Sequence, residues 1–350
     1  WEKNIRQVVP YVPGEQPAGD KIVKLNTNEN PYPPAPGVKK VLEEMEADRL
    51  RKYPDPTASI LVKELASYYG LNEDQVFVGV GSDDVLAMSF LTFFNSDKPV
   101  LFPDVTYSFY KVWADLFKVP FETPVLKEDF TIDVKDYEKE NGGVIFPNPN
   151  APTGVYMPLD QVEEILKANQ DVVVIVDEAY VDFAGPSALE LLDKYENLLV
   201  VQTFSKSRSM AGMRIGFAMG HPDLIRALND VKYSYNSYTM NLPSLLAGVE
   251  AVKDKEYFEK TIEKIVATRE HAKKRLTELG FTFPNSQSNF IFASHKSVPA
   301  EKIFEALKKE QIYVRYFKTP GLDNSLRISI GTDEEMDTLF RFLEAYLPNA

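Results

Sequence analysis

The stretch "VVVIVDEAYVDF", residues 172–183, decides how this chain folds. Its first five residues are apolar and β-branched, with no alternation between apolar and polar positions. A strand with one face in water alternates, whereas an unbroken run needs cover on both faces, as in a parallel sheet between two layers of helices. At Asp177 the character changes abruptly to Asp-Glu. A carboxylate at the end of a buried strand is costly unless a cation or strong donor meets it. Asp177 therefore either caps the loop that follows or faces a cationic heteroaromatic nitrogen.

Outward from this stretch the same grammar repeats. Short β-rich runs at 75–80, 99–102, 143–146, 198–204 and 215–219 alternate with amphipathic stretches at 57–69, 83–94, 158–169 and 222–231. Strand-then-helix order predicts an α/β sandwich on a mostly parallel sheet. The run at 215–219 follows 198–204 after a loop too short for a helical crossover, so one antiparallel strand is expected. A long helical pattern at 254–279 stops at Gly280. Beyond it, "SNFIFA", "IYVRYF" and "LRISIG" are strand-like and interleave with helical patterns at 299–309 and 334–347, which reads as a smaller α+β domain. The expected organisation is an N-terminal arm (1–26), a large domain (27–260) and a small C-terminal domain (261–350).

At 350 residues, 44% hydrophobic and 26% charged, the chain has room for two domains and a large core. A formal charge of −13 argues against a nucleic-acid partner, which requires phosphates to be neutralised. No apolar run approaches a membrane span, so no membrane partner is expected. The three histidines are dispersed, and without cysteine there is no disulfide or thiolate metal site. The absence of cysteine suits the cytoplasm, which is the expected location. The start lacks an initiator methionine and shows no secretory pattern, so it is expected to be trimmed.

In open α/β sheets ligands bind beyond the carboxyl ends of the strands. Four such ends are unusually polar: "GVGSDD" (79–84), "FPNPNAPTG" (146–154), "VDEAYVDF" (176–183) and "TFSKSRSMAGMR" (203–214). Gly81 and Ser82 precede a helix, whose first N–H groups with a serine hydroxyl can cradle a phosphate. Taken alone, they equally describe a glycine turn with a serine cap. They match neither GxGxxG nor a Walker loop. Lys206 and Arg214 could face solvent, but a lysine in a desolvated site can lose its proton and form a Schiff base, which a guanidinium cannot. Arg214 could then grip a phosphate in a forked contact. A phosphate cradle, a buried carboxylate and a flanked lysine together describe one cofactor, pyridoxal 5′-phosphate.

With "LNTNENPYPP" from Leu25, "RKYPDP" from Arg51, "NPNAPTG" from Asn148 and "LRISIG" from Leu326 added in order, the chain resembles a fold-type I pyridoxal-phosphate aminotransferase, specifically the histidinol-phosphate aminotransferase family. The resemblance implies Lys206 as the Schiff-base residue and proton carrier, Asp177 as partner of the ring nitrogen, and Tyr180 as donor to the ring oxygen O3′. It places Gly81, Ser82, Asp83, Ser205 and Arg214 around the cofactor phosphate, and Tyr107 on the ring face. Tyr53 would reach the phosphate from a second subunit, making a homodimer. Arg327, helped by Arg315 and by Tyr11 or Tyr235, would hold the substrate phosphate, and Asn28 belongs to the same expected substrate site.

One position departs from the family pattern. The asparagine that precedes Pro-Thr-Gly there, a partner of O3′, is Ala151 here, so Asn148 or Asn150 takes over or Tyr180 acts alone. Asn148, directly after the strand, is favoured. The implied reaction moves an amino group between L-histidinol phosphate and 2-oxoglutarate, giving glutamate. An aromatic amino-acid aminotransferase and a phospho-amino-acid decarboxylase of the same fold stay open. A non-catalytic member would lack the lysine or aspartate, and a nicotinamide dehydrogenase would carry the missing glycine fingerprint.

Overall fold

A computed structural model of the chain describes residues 1–19 and 21–350. Its strands in chain order are β1 (Val23–Leu25), β2 (Val76–Gly79), β3 (Val100–Leu101), β4 (Phe121–Glu122), β5 (Gly143–Pro147), β6 (Val174–Asp177), β7 (Leu198–Thr203), β8 (Gly216–Gly220), β9 (Phe281–Thr282), β10 (Phe290–His295), β11 (Ile312–Tyr316) and β12 (Leu326–Ser329). The helices are α1 (Pro36–Glu44), α2 (Ser59–Tyr69), α3 (Ser82–Phe93), α4 (Phe109–Phe117), α5 (Leu159–Ala168), α6 (Pro222–Tyr235), α7 (Leu242–Lys253), α8 (Lys255–Glu278), α9 (Ala300–Lys309) and α10 (Asp333–Tyr346).

A seven-stranded sheet runs β2-β8-β7-β6-β5-β3-β4. β6 lies between β5 and β7, parallel to both. The unbroken apolar run now has its physical reason. Val174 and Val176 pack on one face with residues of α1, α2, α5 and α7, while Ile175 packs on the other with residues of α3, α4 and α6. Each such side chain taken from water stabilises the fold by roughly 1.5–3 kcal/mol. β8 pairs antiparallel with both β2 and β7 and, among the described residues, is the one antiparallel strand of this sheet, as expected from the short loop.

The second sheet runs β1-β11-β12-β10-β9 and is covered by α8, α9 and α10. Its edge strand β1 comes from the expected N-terminal arm (1–26), and pairs parallel with β11. Tyr180 and Phe183, just beyond β6, pack into this second core, so the end of β6 lies where the two sheets meet.

Helices α1 and α4 were not anticipated. α1 begins with Pro36 at its first turn, where a missing N–H costs nothing, so a proline-rich segment that reads as loop also starts a helix. In α4 the aromatic and apolar residues Tyr110, Trp113 and Ala114 are buried against α3 and the sheet. α6 runs to Tyr235, a turn beyond the expected end at 231.

Candidate active site

Asp177 is the last residue of β6, and it lines a partly open cavity at the strand ends. The Tyr110 hydroxyl donates to Oδ2 at 2.7 Å, and the Ala179 N–H donates to Oδ1 at 3.2 Å. Burial pushes the carboxyl up to about 6, against the pull of those two donors, and the negative charge of Asp83 adds to the rise. The group is poised to become fully ionised when a cation arrives.

One strand over, the loop after β7 carries Lys206. The loop folds on itself, with the Phe204 N–H bonded to the Ile215 carbonyl and the Met210 N–H to the Phe204 carbonyl. Arg208, buried two residues on, anchors it by donating to the Ala251 carbonyl at 2.8 Å while packed on the rings of Phe258, Tyr68 and Phe204. Lys206 Nζ donates to the Thr27 carbonyl at 3.1 Å and lies 5.8 Å from the centre of the Tyr180 ring. The Tyr180 hydroxyl in turn accepts from Asn28 Nδ2 at 2.9 Å.

Across the cavity, α3 begins at Ser82 after Gly81, whose φ of +85° suits glycine. A Cβ on Gly81 would lie 2.5 Å from the movable Arg214 guanidinium, whereas at Gly216 space demands glycine, since a Cβ there would lie only 2.2 Å from the backbone of Gly81. The first N–H groups of a helix have no partner within it. Facing them are Ser205 Oγ and Arg214, which donates to Ser205 Oγ and to Asp83 Oδ2, both at 3.4 Å. Asp83 also accepts from Tyr107 at 2.7 Å, which makes it an orienting carboxylate. Free N–H groups, a hydroxyl and a guanidinium converging on one spot suit a phosphate dianion. Ser82, Asp83, Tyr107, Asp177, Tyr180, Ser205, Lys206 and Arg214 all line one cavity of about 250 Å³.

This constellation coincides with a family match: residues 20–343 fit the model of aminotransferase class I and II. The chain belongs to that family. The histidinol-phosphate aminotransferase of Brachyspira hyodysenteriae is 51% identical over 345 residues, covering 98% of both chains. That of Clostridium acetobutylicum is 53% identical over 336 residues, covering 96% of both. Among solved structures, the Sinorhizobium meliloti histidinol-phosphate aminotransferase in complex with pyridoxal-5′-phosphate has a TM-score of 0.83 at 25% identity, covering 93% of this chain and 89% of the other.

Within this aminotransferase the remaining expected residues fall outside the cavity wall. Asn148 is a correction. Its amide donates to the Met157 carbonyl at 2.9 Å and its Oδ1 accepts from the Met157 N–H at 2.8 Å, so the side chain is closed in a ring with backbone and does not line the cavity. Asn150 is likewise engaged, donating to the Val105 carbonyl and to Thr153 Oγ1, both at 3.0 Å. Ala151 itself lines the cavity, which leaves Tyr180 as the hydroxyl on that side. Asn28 is also not in the wall: it holds the Tyr180 hydroxyl and exchanges bonds with Ser329.

Arg315 and Arg327 sit opposite one another on β11 and β12. Among the described residues neither pairs with a carboxylate. Arg315 donates to the Val12 and Pro13 carbonyls at 3.3 and 3.5 Å, and Arg327 to the Asn26 carbonyl at 3.2 Å, with its Nε buried and unpartnered. Tyr11 stacks on Phe109 at 4.2 Å and is close enough to Arg327 to act on its charge. Tyr53 and Tyr235 are 81% and 73% exposed and do not line the cavity of their own chain. Sequence reasoning missed Tyr110, Thr27 and Glu29. The one available signal for Tyr110 was its place three residues after Tyr107, on the next turn, and for the other two their place in "NTNENP".

Proposed function

We propose that this chain moves an amino group between L-histidinol phosphate and 2-oxoglutarate with pyridoxal 5′-phosphate. The observation that carries the reading is the placement of Lys206 and Asp177 at neighbouring strand ends, opposite the Ser82–Ser205–Arg214 cradle, in one cavity. Full-length relatives at about half identity bear the corresponding name.

When bound, the cofactor supplies a carbonyl for the incoming amine and a ring that accepts the electron pair left as Cα loses its proton. The chain's residues do the rest. The helix start at Ser82, with Ser205 and Arg214, fixes the phosphate end, while Asp83 holds Arg214 and Tyr107 in place. Asp177, held by Tyr110, keeps a proton on the ring nitrogen. Lys206 Nζ anchors the cofactor and, once displaced by the substrate amine, carries the proton taken from Cα. Tyr180, steered by Asn28, faces the ring oxygen with Ala151 silent beside it.

Residues 27–260 hold the cofactor in this reading, and residues 261–350 bring the substrate-binding arginines. Arg327 with Arg315 meets the substrate phosphate, or the distal carboxylate of 2-oxoglutarate, in charge-assisted bonds. Tyr53 and Tyr235, exposed on one chain, reach the cavity of a second copy, so the active species is a homodimer. Among the described residues no helix is long and apolar enough to cross a membrane. The cytoplasm is the proposed location.

The test compares kcat/KM for histidinol phosphate, phenylalanine and tyrosine with 2-oxoglutarate as acceptor. It is preceded by the visible absorbance of the protein and its loss on borohydride reduction, with label recovered on Lys206. A preference for phenylalanine would move the reading to an aromatic amino-acid aminotransferase. A colourless protein after cofactor addition would end it.

A further inference from the structure

We propose that Glu29 reads the imidazole ring of the substrate and sets the preference for an imidazole over a phenyl side chain. The proposal rests on the substrate reading above. Histidinol phosphate offers an amine, a phosphate ester and an imidazole with a ring N–H donor. The amine must reach Lys206, and the phosphate has the arginine pair, which leaves the imidazole to be recognised.

Among the described residues, three carboxylate side chains line the cavity. Asp177 accepts from Tyr110 and Ala179 and faces the position of the cofactor ring nitrogen. Asp83 accepts from Tyr107 and Arg214 at the phosphate end. Glu29 is the remaining one, and its carboxylate pairs with Lys24. Thr27, two residues earlier, meets Lys206 through its carbonyl, so the segment places the Glu29 carboxylate on the Lys206 side of the cavity.

That segment is held firmly. β1 hydrogen-bonds along β11, the Asn28 N–H donates to Ser329 Oγ at 2.8 Å, and the Asn28 carbonyl accepts from Asn289 at 2.9 Å. Lys24 also donates to Thr27 Oγ1, at 2.5 Å. The Asn28 φ of +56° turns the chain there, a conformation asparagine tolerates better than most residues. A carboxylate fixed in this way is ready to accept from an imidazole N–H, or to pair with an imidazolium. A phenyl ring gives it nothing. Because Lys24 keeps Glu29 paired and its side is open to water, the penalty for a phenyl ring stays well below that of a sealed, unpaired site.

The experiment measures kcat/KM of the cofactor-loaded enzyme for histidinol phosphate and for phenylalaninol phosphate, which keeps the amine and the phosphate but has no ring N–H. Glu29→Met is expected to lower the ratio between them about 10–100-fold, the range of a hydrogen bond to a charged group, through KM for histidinol phosphate. Phenylalaninol phosphate is expected to change by less than about threefold. Lys24→Met, which breaks the ion pair and keeps the carboxylate, is expected to retain the wild-type ratio or raise it, because the carboxylate then meets a phenyl ring unpaired. An unchanged ratio in Glu29→Met, or an equal loss in Lys24→Met, would overturn the assignment of Glu29 while leaving the substrate reading intact. Failure of the wild-type enzyme to use histidinol phosphate, with Lys206 still labelled by borohydride, would overturn the substrate reading and this inference with it.

Discussion

The floor of the cavity and its rim are built differently. On the floor, Asp177, Asp83 and Ser205 sit at strand ends or a helix start of the seven-stranded sheet, each held by partners in the same chain. On the rim, Arg315 and Arg327 find only backbone carbonyls among the described residues, and Arg327 Nε is buried with no partner among them. A buried donor left without an acceptor costs about 1–3 kcal/mol, so the rim gains most when an anion arrives. In the proposed reading, the floor is organised in advance for chemistry, whereas the rim is completed by the ligand it would bind.

The strongest way to break this contrast is on the floor. Lys206→Ala is expected to lower kcat by about 10⁴-fold or more, and Asp177→Asn by about 10²–10⁴-fold, because in the proposed reading one removes the proton carrier and the other the charge opposite the ring nitrogen. Single-turnover kinetics check both. Asp177→Asn carries a second signature in the cofactor-free protein. The folded-state value of Asp177 is raised by burial to about 6 from an unfolded 3.8. Its contribution to stability is thus complete below the unfolded value and lost as pH rises through about 6. The Tm of the Asn variant relative to wild type should therefore climb across that window. A flat difference would mean that the carboxylate is not desolvated.

The rim should answer through binding. Arg327→Lys keeps the charge and loses the fork, so KM for histidinol phosphate is expected to rise about 10–100-fold with kcat changed far less. If kcat fell as steeply as KM rose, Arg327 would be acting in the transition state and the division between floor and rim would dissolve.

The same contrast explains what could be read from the sequence. The sheet was legible because "VVVIV" has to be covered on both faces, and the floor because its residues follow strands whose apolar runs announce them. Asn148 misled because position after a strand does not say which way an amide turns; here it turned to the backbone of Met157. The support that Tyr110 gives Asp177 spans 67 residues of sequence, and the pairing of β1 with β11 joins residue 23 to residue 312. Contacts of that range depend on the assembled fold and leave little local pattern. Glu29 was hidden for the same reason, since only the path of the segment over Lys206 brings it to the cavity.

The smallest expected effect on catalysis sharpens the comparison most, because it concerns two adjacent residues. Glu178 follows Asp177, is as deeply buried, and is pushed up to about 7 by burial, against the hydrogen bonds it accepts. By the pKa shift alone, the two carboxylates look alike. Their surroundings differ: Glu178 accepts from Ser187 Oγ and the Ala188 N–H, each at 2.6 Å, and from Gln202 Nε2 at 2.9 Å, and it does not line the cavity. All three partners donate, so Glu178→Gln turns an amide N–H₂ toward a donor. The expected cost is about 1–3 kcal/mol of stability, read by denaturant or thermal unfolding. Because the raised value makes the wild-type contribution fade as pH rises from 4.5 through about 7, the deficit should narrow across that window and level off above it. Cofactor affinity and kcat should stay within about twofold of wild type. A drop in kcat approaching that of Asp177→Asn would show that the closed side of the strand end takes part in the chemistry of the open one.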